Sequence, residues 1–193
     1  MTPTTPQLLR AILLQGVDVH DVRGQLPAHA TKEYPTVDPA KFSGVVIHHS
    51  GPPPLDGLDG LERLTRYTVD RRGWPGCPYD LAIASTGGVY LCHDLDVGNY
   101  HGGTLARPGD ENAEFLGLVV LGNMAGPHND TPDQHDPTLA QVEAVGRVIR
   151  ALYSLWPGWL HNEHRGLWLH ADLGKAACPG ELLTRLVRRE RTR

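Results

Sequence analysis

With 193 residues, 40% of them hydrophobic and 21% charged, the chain holds enough material for one well-packed domain and is short for two. A formal net charge of −4 excludes a whole-chain attraction to nucleic acid, and no apolar run approaches the roughly 18–20 residues of a membrane span. Three cysteines, an odd number, exclude a complete disulfide framework.

Residues 1–16 predict a short amphipathic helix, with Leu8, Leu9, Ile12 and Leu13 on its apolar face and Gly16 as its stop. Val17-Asp18-Val19-His20-Asp21-Val22 alternates apolar and polar and predicts a strand. Residues 23–42 are loop, punctuated by Pro27, Pro35 and Pro39. Val45-Val46-Ile47 then runs straight into His48-His49-Ser50. The β-branched run predicts a buried strand, and its end is a usual address for a ligand or catalytic group.

Gly51-Pro52-Pro53-Pro54 forbids helix. Residues 58–72 predict a helix with Leu58, Leu61, Leu64, Thr65 and Thr68 on one face, ended by Gly73-Trp74-Pro75-Gly76. Tyr79–Ala84 and Val89–Cys92 flank Ser85-Thr86-Gly87-Gly88, a hairpin signal. Residues 93–114 form a long polar loop, Phe115–Leu121 a buried strand, and residues 123–137 a second long loop. Residues 138–155 predict a helix capped by Thr138, with Leu139, Val142, Val145, Ile149 and Leu152 as its core face. Gly166–His170 is a strand, and Pro179 in a first helical turn opens a last helix to about residue 189. Its arginines read as a solvated helix end.

Strands separated by helices predict a single α/β domain with a central mixed β-sheet flanked by helices. Residues 1–42 are expected to form a helix and strand extension packed on a domain of residues 43–193.

Eleven histidines are many for this length. His48 and His170 each follow an apolar strand, and Cys178 lies close behind the second. Two imidazoles and a thiolate suit a catalytic zinc, which keeps three protein ligands and an open position. Spacing alone does not select this set, because His93, His101, His128, His135, His161 and His164 compete as ligands. Cys77 and Cys92 read as buried thiols, with a bridge between them as the alternative.

The ordered motifs decide more. They are Val45–Ser50; Arg71-Arg72-Gly73-Trp74 with Tyr79–Ile83; Gly87–Tyr90; His101 with Asn112; Leu116–Asn123; Pro137-Thr138 with Gln141; and His170-Ala171-Asp172 through Cys178-Pro179-Gly180. From about residue 43 to 185 this series resembles the zinc-dependent N-acetylmuramoyl-L-alanine amidases, the type-2 amidase and peptidoglycan-recognition-protein superfamily that includes phage endolysins. The resemblance implies one zinc ion per chain on His48, His170 and Cys178. It implies Tyr79 as a catalytic residue that stabilises an oxyanion, and His49, His101 and Asn112 as residues of the substrate-binding groove. Two positions depart from the family. Ala176 stands where many catalytic relatives have Lys or Thr, so Lys175 beside it is the candidate electrostatic partner of Tyr79. Asp80 stands where relatives often have His.

The implied partner is peptidoglycan, glycan strand plus stem peptide, met by a monomer with no nucleic acid or membrane span involved. The implied reaction is hydrolysis of the amide between N-acetylmuramic acid and L-alanine. The N-terminus shows no basic region before its apolar residues. Synthesis in the cytoplasm and action on the wall after release, as by an endolysin, is therefore expected. The alternatives are a cytoplasmic amidase that recycles muropeptides and a module that binds peptidoglycan without cutting it.

Overall fold

The structure, a computed structural model, describes residues 2–51, 53, 55–102, 111–124 and 135–192. Among the described residues, six strands form one mixed sheet in the order β1-β4-β3-β5-β2-β6. They are β1 (Val19–Asp21), β2 (Gly44–His49), β3 (Leu81–Ile83), β4 (Val89–Leu91), β5 (Phe115–Val120) and β6 (Leu167–Leu169). Only β3 and β4, the two arms of the expected hairpin, pair antiparallel. The others pair parallel, with β2 lying between β5 and β6. Central parallel strands are buried on both faces, which explains why Val45-Val46-Ile47 and Leu116–Leu121 are continuous apolar runs rather than alternating ones.

Alternation along β5 separates two hydrophobic layers. Leu116, Leu118 and Val120 face one layer, which holds α1 (Thr5–Leu14), α4 (Leu139–Leu155) and α5 (Glu181–Arg191) through Leu8, Ile12, Val145, Ile149, Leu183 and Val187. Val119 and Leu121 face the other, with Leu61 of α2 (Gly57–Arg72), Ala82 and the buried free thiols Cys77 and Cys92. The helix starts follow local chemistry. At α4 the Thr138 hydroxyl accepts from Gln141 N (3.1 Å), and Gln141 Oε1 accepts from Thr138 N (2.9 Å). The Gln141 amide is fully buried and also donates to Leu121 O at 2.8 Å, which ties the helix start to the end of β5.

Four sequence expectations shift. On α1 the buried face is Leu8, Ala11 and Ile12, and Leu13 is 54% exposed, because the packing stripe of this short helix is rotated toward the small Ala11. Leu139 is 74% exposed, since the first turn of α4 overhangs the core. Pro179 precedes α5 and Gly180 takes the N-cap. The loop 93–114 ends in one turn of helix, α3 (Glu111–Glu114), while most of the 123–137 loop, including His128, lies outside the described residues. Among the described residues no helix is long and apolar enough to cross a membrane.

Candidate metal centre

The sheet register brings the two histidines together. Ile47 on β2 pairs with Leu169 on β6, so the next residue of each parallel segment, His48 still on β2 and His170 just past the end of β6, lies beside the other. Their ring centroids are 4.4 Å apart. After His170 the chain turns through a 3₁₀ segment, His170–Leu173, and folds back on itself. Lys175 N donates to His170 O (3.1 Å), and Cys178 N donates to Lys175 O (2.8 Å). Asp172 accepts from Leu169 N (2.8 Å) and pairs with Arg191 of α5, which fastens the turn to the sheet. Cys178 then arrives against β2, where its Sγ accepts the His49 backbone N–H at 3.4 Å.

Gly180 makes that return possible. Its φ is +96°, and a Cβ there would stand 1.6 Å from Met124 O, so the segment after Cys178 passes flush against the end of β5's loop as only glycine can.

One ligand atom each from His48, His170 and Cys178 lies within 4.8 Å of the others, and this is the metal-capable group found among the described residues. Two observations show that the group fits a cation. Nδ1 of His48 and Nε2 of His170 are buried ring nitrogens with no hydrogen-bond partner, an arrangement that is costly unless something else engages them. The donors are also held in the forms a soft cation takes. Burial, with the neighbouring His170, His101 and His49, holds His48 well below the usual histidine range. Burial and the Lys175 charge bring His170 down to about 4, so both rings are neutral at neutral pH. Burial pushes the Cys178 thiol up to about 12, opposed by the His49 N–H. It must lose a proton to ligate.

The other expected site residues fall around this group. Tyr79 is half-buried, with its ring 5.1 Å from that of His48, and burial pushes its phenol far above the ordinary range, leaving it a hydrogen-bond donor. Lys175 is exposed, yet close enough for its charge to bear on His170. His49 is partly buried; its Nδ1 accepts from Met124 N (2.9 Å), and burial lowers its pKa to about 4. Asn112 Oδ1 accepts from Gly102 N (2.9 Å), the residue next to His101.

His101 lies deepest of the residues expected in the groove. It is 4% exposed and sits beneath the metal-capable group, with Nδ1 3.2 Å from His48 Nε2 and Nε2 3.0 Å from Phe115 O. Asp80 receives a structural role: its Oδ2 accepts from Gly117 N (2.6 Å) and from Asn99 Nδ2 (2.7 Å). Sequence reasoning passed over Asn99 and Met124. The one signal for the buried network was Gly117, a glycine inside a strand, which marks close approach.

The chain matches the family of N-acetylmuramoyl-L-alanine amidases over residues 38–181. Among curated proteins none matches it. Solved structures share the fold. Drosophila peptidoglycan recognition protein SD superposes with a TM-score of 0.65 at 16% identity, covering 89% of this chain and 94% of that one. The endolysin amidase LysCS of Clostridium intestinale gives 0.59 at 18% identity, covering 86% and 92%. Endolysin Ph2119 of a Thermus scotoductus bacteriophage gives 0.57 at 19% identity, covering 88% and 96%. The match in sequence spans most of the mixed sheet and all three residues of the metal-capable group, and the chain belongs to the N-acetylmuramoyl-L-alanine amidase family.

Proposed function

We propose that the chain is a peptidoglycan hydrolase that cuts the amide between N-acetylmuramic acid and the L-alanine of the stem peptide. His48, His170 and Cys178 would hold one zinc ion. The observation that carries this reading is the convergence of their three donor atoms, two of them orphaned buried nitrogens, in a chain of this family.

A zinc ion on two neutral imidazoles and a thiolate keeps a net charge of +1, and it supplies the activation of water and the polarisation of the amide carbonyl. The protein's own groups do the rest. Tyr79, neutral and beside His48, donates its phenolic hydrogen to the oxyanion of the tetrahedral intermediate. Lys175 adds positive charge at the rim of the same site, in place of the side chain that Ala176 lacks. The His49 N–H stabilises the Cys178 thiolate. His49 itself, with Nδ1 committed to Met124 N, keeps Nε2–H as a donor toward substrate. Asn112, which accepts from Gly102 N beside His101, is assigned to substrate binding. We further assign the chain to the phage or prophage endolysins, acting on the wall as a monomer after release from the cytoplasm.

The test is zinc content measured together with release of new amino termini from purified peptidoglycan. One zinc per chain, with release that a chelator stops and zinc restores, is the expected result. One zinc with no release from any wall type would replace the hydrolase with a peptidoglycan-recognition module, the reading that Ala176 keeps open. Absence of zinc binding would remove the ligand assignment. Release from soluble muropeptides alone would favour a recycling amidase.

A further inference from the structure

His101 belongs to no step above, yet the fold takes trouble to place it. Its imidazole lies against Gly117 in the middle of β5. A Cβ at Gly117 would stand 2.7 Å from both Cβ and Cγ of His101, so a side chain at residue 117 and this ring exclude each other. The loop that carries the ring is also pinned. Asp80, 2% exposed, accepts from Gly117 N and from Asn99 Nδ2, and Asn99 Oδ1 in turn accepts the His101 backbone N–H at 3.2 Å. Asp80, Asn99 and Gly117 thus form a buried cradle with the His101 ring aimed at His48.

The direction of the hydrogen bonds follows from elementary chemistry. Phe115 O accepts only, so His101 Nε2, 3.0 Å away, carries a proton. A neutral His101 then has a bare Nδ1, which accepts. His48 Nε2, 3.2 Å from it, must therefore be the donor. That leaves the bare lone pair of His48 on Nδ1, the nitrogen with no partner in the protein.

We infer that His101 is a positioning residue for the metal centre: the relay from Phe115 O through His101 to His48 locks His48 in the Nε2–H tautomer and turns its Nδ1 lone pair toward His170 and Cys178. This deepens the zinc reading above. A second ring nitrogen held by an outer partner fixes both the tautomer and the orientation of a ligating histidine, and loss of such a partner typically costs 10–100-fold in metal affinity. The departure at Asp80 acquires a physical reading as well, since the carboxylate anchors the relay from below.

Two measurements test it, neither of them activity. In the metal-free protein with ¹⁵N-labelled histidine, at about pH 8, above the ordinary histidine range, long-range ¹H–¹⁵N correlations should show His48 and His101 both as Nε2–H. His48 found with its proton on Nδ1, as a charged His101 donating to Nε2 would require, overturns the proposal. Zinc affinity by competition with a chromophoric chelator is the second readout. His101→Leu should bind about 10–100-fold more weakly, and His101→Asn, whose Oδ1 can still accept from His48 Nε2, should recover most of that loss. Gly117→Ala should weaken zinc binding in the same direction by displacing the ring. Unchanged affinity in His101→Leu, with the fold verified by circular dichroism, overturns the relay. If His101→Leu fails to fold, the tautomer spectrum and the His101→Asn affinity decide. A protein with the expected tautomer and affinities that releases nothing from the wall would sink the hydrolase reading and leave the relay standing.

Discussion

The protonation state of Cys178 sets a quantitative expectation for metal binding. Burial holds this thiol at about 12 against an ordinary value of 9.0, while His170 titrates at about 4 and His48 lower than the usual range. Between about pH 5 and 7 His48 and His170 of the metal-free protein are therefore neutral and the Cys178 thiol is protonated. Binding zinc must release one proton, from Cys178, and none from the rings. Proton and metal compete for the same Sγ, so affinity weakens as pH falls, by about tenfold per pH unit in this window. The three-unit elevation costs on the order of 4 kcal/mol relative to an ordinary thiol. Well below pH 7, water on a bound zinc would remain largely un-ionised and would add no second proton. Isothermal titration calorimetry in buffers of different ionisation enthalpy counts the protons directly. A release near one, with a unit slope of log Kd against pH, is expected. A release near zero would mean a preformed thiolate, and a release of two or more would mean charged histidines; either result refutes this account of the buried group.

Tyr79→Phe should lower kcat for release from peptidoglycan by about 10²–10³-fold, the usual cost of removing one oxyanion donor, while zinc affinity stays unchanged; equal activity would move the oxyanion role to another group. Gln141→Ala removes the second half of the capping box and leaves Leu121 O without its buried donor. Urea denaturation should show a loss of about 2–3 kcal/mol, and a change within 0.5 would refute the capping argument. Asp80 carries a pKa raised by burial to about 6 from an ordinary 3.8. A carboxyl raised in the folded state contributes stability below its unfolded value that is lost as pH rises through the folded one. Between about pH 4 and 7 the wild type should therefore lose ground relative to Asp80→Asn, by at most about 3 kcal/mol. Denaturation of both proteins across that range, without metal, checks the sign; a constant difference would mean that the carboxylate is fully compensated by Gly117 N and Asn99.

The local chemistry of this chain is legible in its sequence because each signal is short in range. The β-branched run before His48, the Thr138 helix cap and the glycine-rich turn before Val89 each act within a few residues, and each appears where it was expected. Long helices with a regular apolar stripe are legible for the same reason. The ends are less so: Leu13 and Leu139 keep the periodicity but face solvent, because periodicity names a stripe and the neighbour decides how much of it is covered. The candidate metal-ligand set was only half legible. His48, His170 and Cys178 stood among six competing histidines until ordered family motifs selected them.

What the tertiary structure alone decided is which side chains meet. The β2–β6 register that sets His48 beside His170 joins residues more than a hundred positions apart, and no local signal encodes that pairing. The same holds for His101. As a sequence position it reads as one polar residue in a long loop, and it becomes a buried partner of His48 only because Gly117 clears space on β5 and Asp80 holds Asn99 beneath it. Sequence determines the chemistry available at each point of the backbone and the local structure that carries it. Which lone pair faces which proton depends on strand order and on close approach between distant segments, and these are set by packing the whole sheet at once.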